Sequence, residues 1–145
     1  MVLDTNVLVS GLLNSFGAPV RVLDLVLAGE LIVAFDDRLL SEWREVLRRV
    51  KFGFSSNDVE TLLGFVEEEG FGVNPPPLGV ELPDPDDVPF LEVAHAAEAT
   101  LITGNTKHYP PEARLGVEVM EPAGFLERWT REAGSRDTEG GRSDG

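Results

Sequence analysis

The chain has no cysteine, and among its 145 residues it carries only two histidines, two tryptophans and one tyrosine. Without cysteine there is neither a disulfide nor a thiolate metal site, and a reducing compartment, the cytoplasm, is the expectation. No apolar run approaches the ~20 residues of a membrane span. No basic stretch precedes an apolar one at the N-terminus, so a secretory leader is not expected. Positive charge is also scarce: 12 Lys and Arg face 26 Asp and Glu, for a formal net charge of −14. From Phe52 to Thr106 there is no Lys or Arg at all, while Arg38, Arg44, Arg48, Arg49 and Lys51 lie close together. One basic flank and one strongly acidic flank follow. Non-specific capture of nucleic acid should be weak and salt-sensitive.

What is present suits one domain with one core. Val2-Leu3 is a short apolar run that delivers Asp4, and Thr5-Asn6 then opens a segment of helical spacing, so the chain starts as a strand turning directly into a helix. Asp4 and Asn6 there read either as helix-capping groups or as ligands at the carboxyl end of a strand, where open α/β sheets bind. Pro19 opens a second helix whose core face is Val20, Leu23, Val26 and Leu27, closed by Gly29. Leu31–Phe35 is a continuous apolar run suited to a strand covered on both faces. Asp36-Asp37 caps a third helix to about Val50. Its apolar stripe, Leu39, Leu40, Trp43, Val46, Leu47 and Val50, leaves Glu45 opposite and Glu42 about 100° away at the stripe edge.

Ser55-Ser56-Asn57-Asp58 caps a fourth helix over Val59, Leu62, Leu63, Phe65 and Val66. The prolines at 75–77 make a stiff connector. Asp84-Pro85-Asp86-Asp87 precedes a fifth helix through Phe90, Leu91, Val93, Ala94 and Ala97. Ala99–Gly104 is a strand running into a turn, Asn105–Tyr109 a loop or short helix in which His108 reads as a loop residue, and Val117–Met120 a late edge strand. Pro122 starts the last helix. The fold class is therefore α/β, with residues 1–132 as the domain and 133–145 as a disordered tail of Gly, Ser and charge.

An α/β order puts the first strand and the Leu101–Thr103 strand in one sheet, so Asp4 and Asn105 share a rim. Packing the fifth helix on that sheet brings Asp87 there, and Glu42 reaches round from the core edge. Carboxylates gathered this way raise one another's pKa and call for a neutralising metal. Oxygen donors, with no Cys and two His, suit Mg²⁺ or Mn²⁺ rather than Zn²⁺. Such ions activate water and screen a scissile phosphodiester. The competing reading of the Asp84–Asp87 run is a rigid turn plus cap, and one Asp can cap while its neighbour binds metal.

These stretches resemble a known family. Val2-Leu3-Asp4-Thr5-Asn6-Val7-Leu8-Val9-Ser10 is similar to the opening motif of PIN-domain proteins. Leu40-Ser41-Glu42-Trp43 resembles the family's second acidic position, Asp84–Leu91 followed by Ala94 its third with Asp87 as the acid, and Leu101-Ile102-Thr103-Gly104-Asn105 its final site turn. The resemblance implies a three-layer α/β/α fold with a central, mostly parallel sheet. It implies a Mg²⁺- or Mn²⁺-dependent endoribonuclease acting on single-stranded RNA, often the toxin of a toxin–antitoxin pair, with an antitoxin partner and a homodimer as family-level expectations. Asp4, Glu42 and Asp87 are then the metal-binding and catalytic acids, and Asn6, Thr103 and Asn105 supporting groups. Arg44, Arg48, Lys51 and Lys107 are candidate RNA contacts. Many family members have an acid where this chain has Asn105, which puts a second metal in question. The alternative is a PIN-like module that has lost activity and binds a partner protein.

Overall fold

The computed structural model describes residues 1–134 with their side chains, that of Val50 excepted, and residues 135–144 as backbone. The tail expected to begin at residue 133 lies, from 135 on, outside the residues described in full. The strands are β1 (Val2–Leu3), β2 (Ala34–Phe35), β3 (Phe71–Gly72), β4 (Leu101–Ile102) and β5 (Val119–Met120). The helices are α1 (Thr5–Leu13), α2 (Ala18–Leu27), α3 (Asp37–Leu47), α4 (Ser56–Glu69), α5 (Val88–Ala97) and α6 (Pro122–Asp144).

All strand pairs are parallel. β1, β4 and β5 form one ladder with β4 central, and β2 pairs with β3. The two pieces meet where Ala34 N–H donates to the Met1 carbonyl at 2.8 Å. Strands this short carry little ladder of their own. They are held because Val2, Leu3, Val33, Ala34, Leu101 and Ile102 are all buried in the one core, with α5 packed on β1, β2 and β4. α1 and α2 pack as an antiparallel-type pair around Gly11, where an added Cβ would lie 2.5 Å from Leu23 Cδ1, and α6 closes against α2. Parallel strands put every carboxyl end on one rim, and Asp4, Asp36 and Thr103 all directly follow a strand there.

The α/β order, the helix starts and the late edge strand match the sequence reading, and several faces do not. The α2 core face is Val22, Leu23 and Val26. Leu27 is exposed. The expected strand over Leu31–Phe35 shrinks to Ala34–Phe35, and the Ile32 side chain is exposed although its carbonyl accepts from the Met1 amino group at 2.9 Å. Val46 and Ala97 are only partly buried. β3 was not anticipated: Phe71-Gly72 is exposed, contains a glycine and has no alternation, so only its pairing with Ala34–Phe35 defines it.

A candidate acidic site at the sheet rim

Asp4 occupies the N-cap position of α1 with extended backbone, yet its side chain makes no cap hydrogen bond. It turns inward instead. Asp4 Oδ2 accepts from Thr103 Oγ1 at 2.9 Å and from the Tyr109 hydroxyl at 3.0 Å, all three groups buried. A carboxylate placed at a helix start but spent on two hydroxyls from another segment is held for its position, not for the helix. Burial pushes its pKa up, opposed by the Thr103 and Tyr109 hydrogen bonds. Tyr109 is itself fully buried. Burial and the neighbouring Asp4 and Asp87 charges raise its pKa, so it stays a neutral donor.

Asn6 staples the two strand ends together. Its Oδ1 accepts from Gly104 N–H at 3.0 Å and its Nδ2 approaches Thr103 Oγ1 at 3.5 Å. Asn105 contributes through its backbone, donating to Thr103 Oγ1 at 3.1 Å, and its side chain is exposed. Thr103 therefore relays the fixed geometry of the β4 turn to Asp4.

Glu42 sits half-buried on α3, as the stripe-edge position required, and accepts a short hydrogen bond from Thr5 Oγ1. Burial raises its pKa first, and the charges of Asp4, Asp86 and Glu45 add to this. In the Asp84–Asp87 turn, Asp84 is the capping group, accepting from Asp86 N–H at 2.9 Å, and Asp87 is left over. Asp87 is 9% exposed, and its Oδ2 accepts no hydrogen bond. Burial, then Asp4 and Asp84, push its carboxyl up to about 6, with His108 opposing and Glu42 adding. The His108 Nδ1 lies 3.2 Å from Asp87 Oδ2 without the alignment of a hydrogen bond.

The Asp4 charge thus reaches both Glu42 and Asp87, and the Glu42 charge reaches Asp87, each raising the pKa of the carboxyl it reaches. Among the described residues, no three His, Asp or Glu side chains are closed around a point where an ion would sit. The donor chemistry still fits a hard divalent cation: oxygen groups gathered at one rim, with a buried carboxylate oxygen that accepts no hydrogen bond. An open cleft of about 500 Å³ adjoins this rim, lined by Asn6, Val7, Ser10, Gly104, Asn105 and Glu121 among others.

The basic candidates are placed differently. Arg44 and Arg48 bind Glu60, at 3.0 and 2.5 Å, and Lys51 lies over the Phe52 ring. Lys107 is exposed on the turn that follows Asn105. Sequence reasoning passed over Tyr109 and read His108 only as a loop residue. The available signal was the one tyrosine of the chain in an otherwise polar loop, but only the single 3₁₀ turn Thr106–His108 folds both residues back beneath the rim.

A family model described as PIN domain matches residues 1–107, a span that includes Asp4, Glu42, Asp87, Thr103 and Asn105. No curated protein matches the chain significantly.

Proposed function

We propose, on the premise that this chain belongs to the PIN-domain family, that it is a divalent-metal-dependent endoribonuclease cleaving single-stranded RNA. PIN domains are generally nucleases. The observation that carries the finer reading is the rim itself: three carboxylates from the end of β1, α3 and the α5 approach, with Asp4 raising the pKa of both Glu42 and Asp87, and with a buried Asp87 oxygen that accepts no hydrogen bond.

Asp4, Glu42 and Asp87 would hold the ion, Mg²⁺ or Mn²⁺, which supplies an activated water and neutralises charge on the scissile phosphate. The chain's own groups do the rest. Thr103 and Tyr109 fix the rotation of the Asp4 carboxylate, Asn6 fixes the turn that carries Thr103, and Thr5 orients Glu42. Lys107 is the basic side chain best placed for an RNA phosphate, with Arg44, Arg48 and Lys51 further along the basic flank. A role as the toxin of a type II pair, with an antitoxin partner, a homodimeric state and a cytoplasmic location, belongs to the same proposal.

The charge of −14 and the amide at Asn105 favour one second reading, a PIN-like module that binds a partner protein without cleaving RNA. Titrating Mn²⁺ against a labelled single-stranded RNA separates the two. The nuclease cleaves only with metal, Asp4→Asn abolishes cleavage while the fold persists, and Asp87→Asn weakens metal binding more than Asp84→Asn does. Undiminished cleavage by Asp4→Asn removes the metal mechanism. Absence of any metal-dependent cleavage or metal-induced heat-stabilisation in the unmutated chain selects the module.

A further inference from the structure

The contact between His108 and Asp87 is unusual in what it lacks. The carboxylate is about nine-tenths buried, and its Oδ2 faces an imidazole nitrogen at 3.2 Å, yet no hydrogen bond joins them and Oδ2 finds no other donor. A buried carboxylate oxygen that accepts no hydrogen bond costs free energy unless a cation beside it compensates. The separation of the two groups has a natural explanation. Around an octahedral ion with bonds of about 2.1–2.2 Å, neighbouring donor atoms lie roughly 3 Å apart. Two donors to one ion need that spacing and must not be aligned on each other, because both lone pairs aim at a third point.

We infer that His108 is a nitrogen ligand of the rim's divalent ion, with His108 Nδ1 and Asp87 Oδ2 as neighbouring donors. This rests on the nuclease reading's metal and extends it. His108 is partly open to solvent, with side-chain exposure of 42%, and it is Nδ1 that faces Asp87. The turn that has an amide at Asn105 thereby supplies a neutral donor one short turn later. An imidazole among carboxylates shifts preference from Mg²⁺ toward borderline transition ions such as Mn²⁺.

The test uses the full, untagged chain loaded with Mn²⁺ alone and read by pulsed electron paramagnetic resonance. The chain has two histidines. The other, His95, lines a surface hollow with Glu98, Thr100 and Glu118 at the opposite end of the strands. Directly coordinated ¹⁴N modulation is expected in the unmutated protein. It changes to the ¹⁵N pattern on labelling histidine, persists in His95→Gln and disappears in His108→Gln. Mn²⁺ affinity should fall about tenfold in His108→Gln, with a smaller loss for Mg²⁺. Bound Mn²⁺ without nitrogen modulation, or modulation that survives His108→Gln, overturns the inference and leaves the carboxylate site standing. The labelled unmutated protein decides the matter even where the variant folds poorly. Failure of the unmutated chain to bind Mn²⁺, or binding unaffected by Asp4→Asn, overturns the inference together with the metal-dependent reading beneath it.

Discussion

At the residue scale, Asp87 turns its burial into a pH dependence. Its carboxyl is pushed up to about 6, first by desolvation and then by Asp4 and Asp84. A group that binds its proton more tightly in the folded state contributes stability fully present below its unfolded pKa near 3.9. That stability is lost as pH rises through the folded value. Asp4 and Glu42 are raised as well and act with the same sign. Metal-free protein should therefore lose about 1–3 kcal/mol between pH 4 and pH 7 from Asp87 alone. In thermal melts across that range with chelator present, Asp87→Asn should remain more stable than the parent at pH 7 and equal to it near pH 4. Superimposable pH profiles would show that Asp87 titrates normally. The same stored repulsion is what a bound divalent ion relieves, so added Mn²⁺ should stabilise the parent most where the metal-free chain is weakest.

At the scale of elements, short strands are positioned by close backbone approach. α4 ends at Gly70, whose N–H donates to the Val66 carbonyl at 2.8 Å, and the next residue, Phe71, donates to the Val33 carbonyl at 2.9 Å. An added Cβ at Gly70 would lie 2.3 Å from Val66 O and 2.6 Å from Val33 O, both backbone atoms that cannot swing aside. Gly70→Ala should cost about 2 kcal/mol or more, a fall in melting temperature of roughly 6 °C for a domain of this size. Gly64→Ala, in the same helix with open space around it, should be neutral or gain up to about 1 kcal/mol. Equal melting temperatures for the two variants would refute the tight α4–β3 junction. A second tie works across elements. Arg38 bridges Asp36, the α3 cap, to the buried Glu92 of α5, and Glu92 Oε2 accepts from Leu78 N–H of the proline connector at 2.8 Å. That clamp anchors the connector that carries Asp87 to the rim, and a buried Glu on the apolar side of α5 gave no warning of it in the residue pattern.

At the scale of the whole molecule, charge decides how RNA approaches. Arg44 and Arg48 answer Glu60, Arg49 answers Glu45, and Arg128 answers Glu118. Lys107 forms no ion pair among the described residues, and it lies two residues beyond Asn105 at the rim. With a net charge of −14, long-range repulsion opposes capture, and each unpaired cation near the site counts for more. Lys107→Ala should weaken binding of a labelled single-stranded RNA more than Arg48→Ala, and should lower the magnitude of the log–log salt slope by about 0.7–1, with little change for Arg48→Ala. Fluorescence polarisation on an Asp4→Asn background, where cleavage cannot intervene, measures both. The reverse order of the two variants would place the RNA track along α3 instead.

Local sequence determined the α/β order apart from β3, the family resemblance, and the acids Asp4, Glu42 and Asp87 as candidates, because strand-end carboxylates, cap residues and a stripe-edge glutamate are all encoded within a few residues of one another. In the Asp84–Asp87 run it left cap and ligand open, and the fold made Asp84 the capping group. Tertiary structure alone decided that Asp4 abandons its helix for Thr103 and Tyr109, that Arg44 and Arg48 turn to Glu60, that Phe71-Gly72 is a strand, and that His108 meets Asp87. Each of those depends on partners tens of residues away. A hydrogen bond or an electrostatic coupling between distant segments leaves no periodic trace in the chain, so it exists only once the parallel strands have brought their carboxyl ends to one edge.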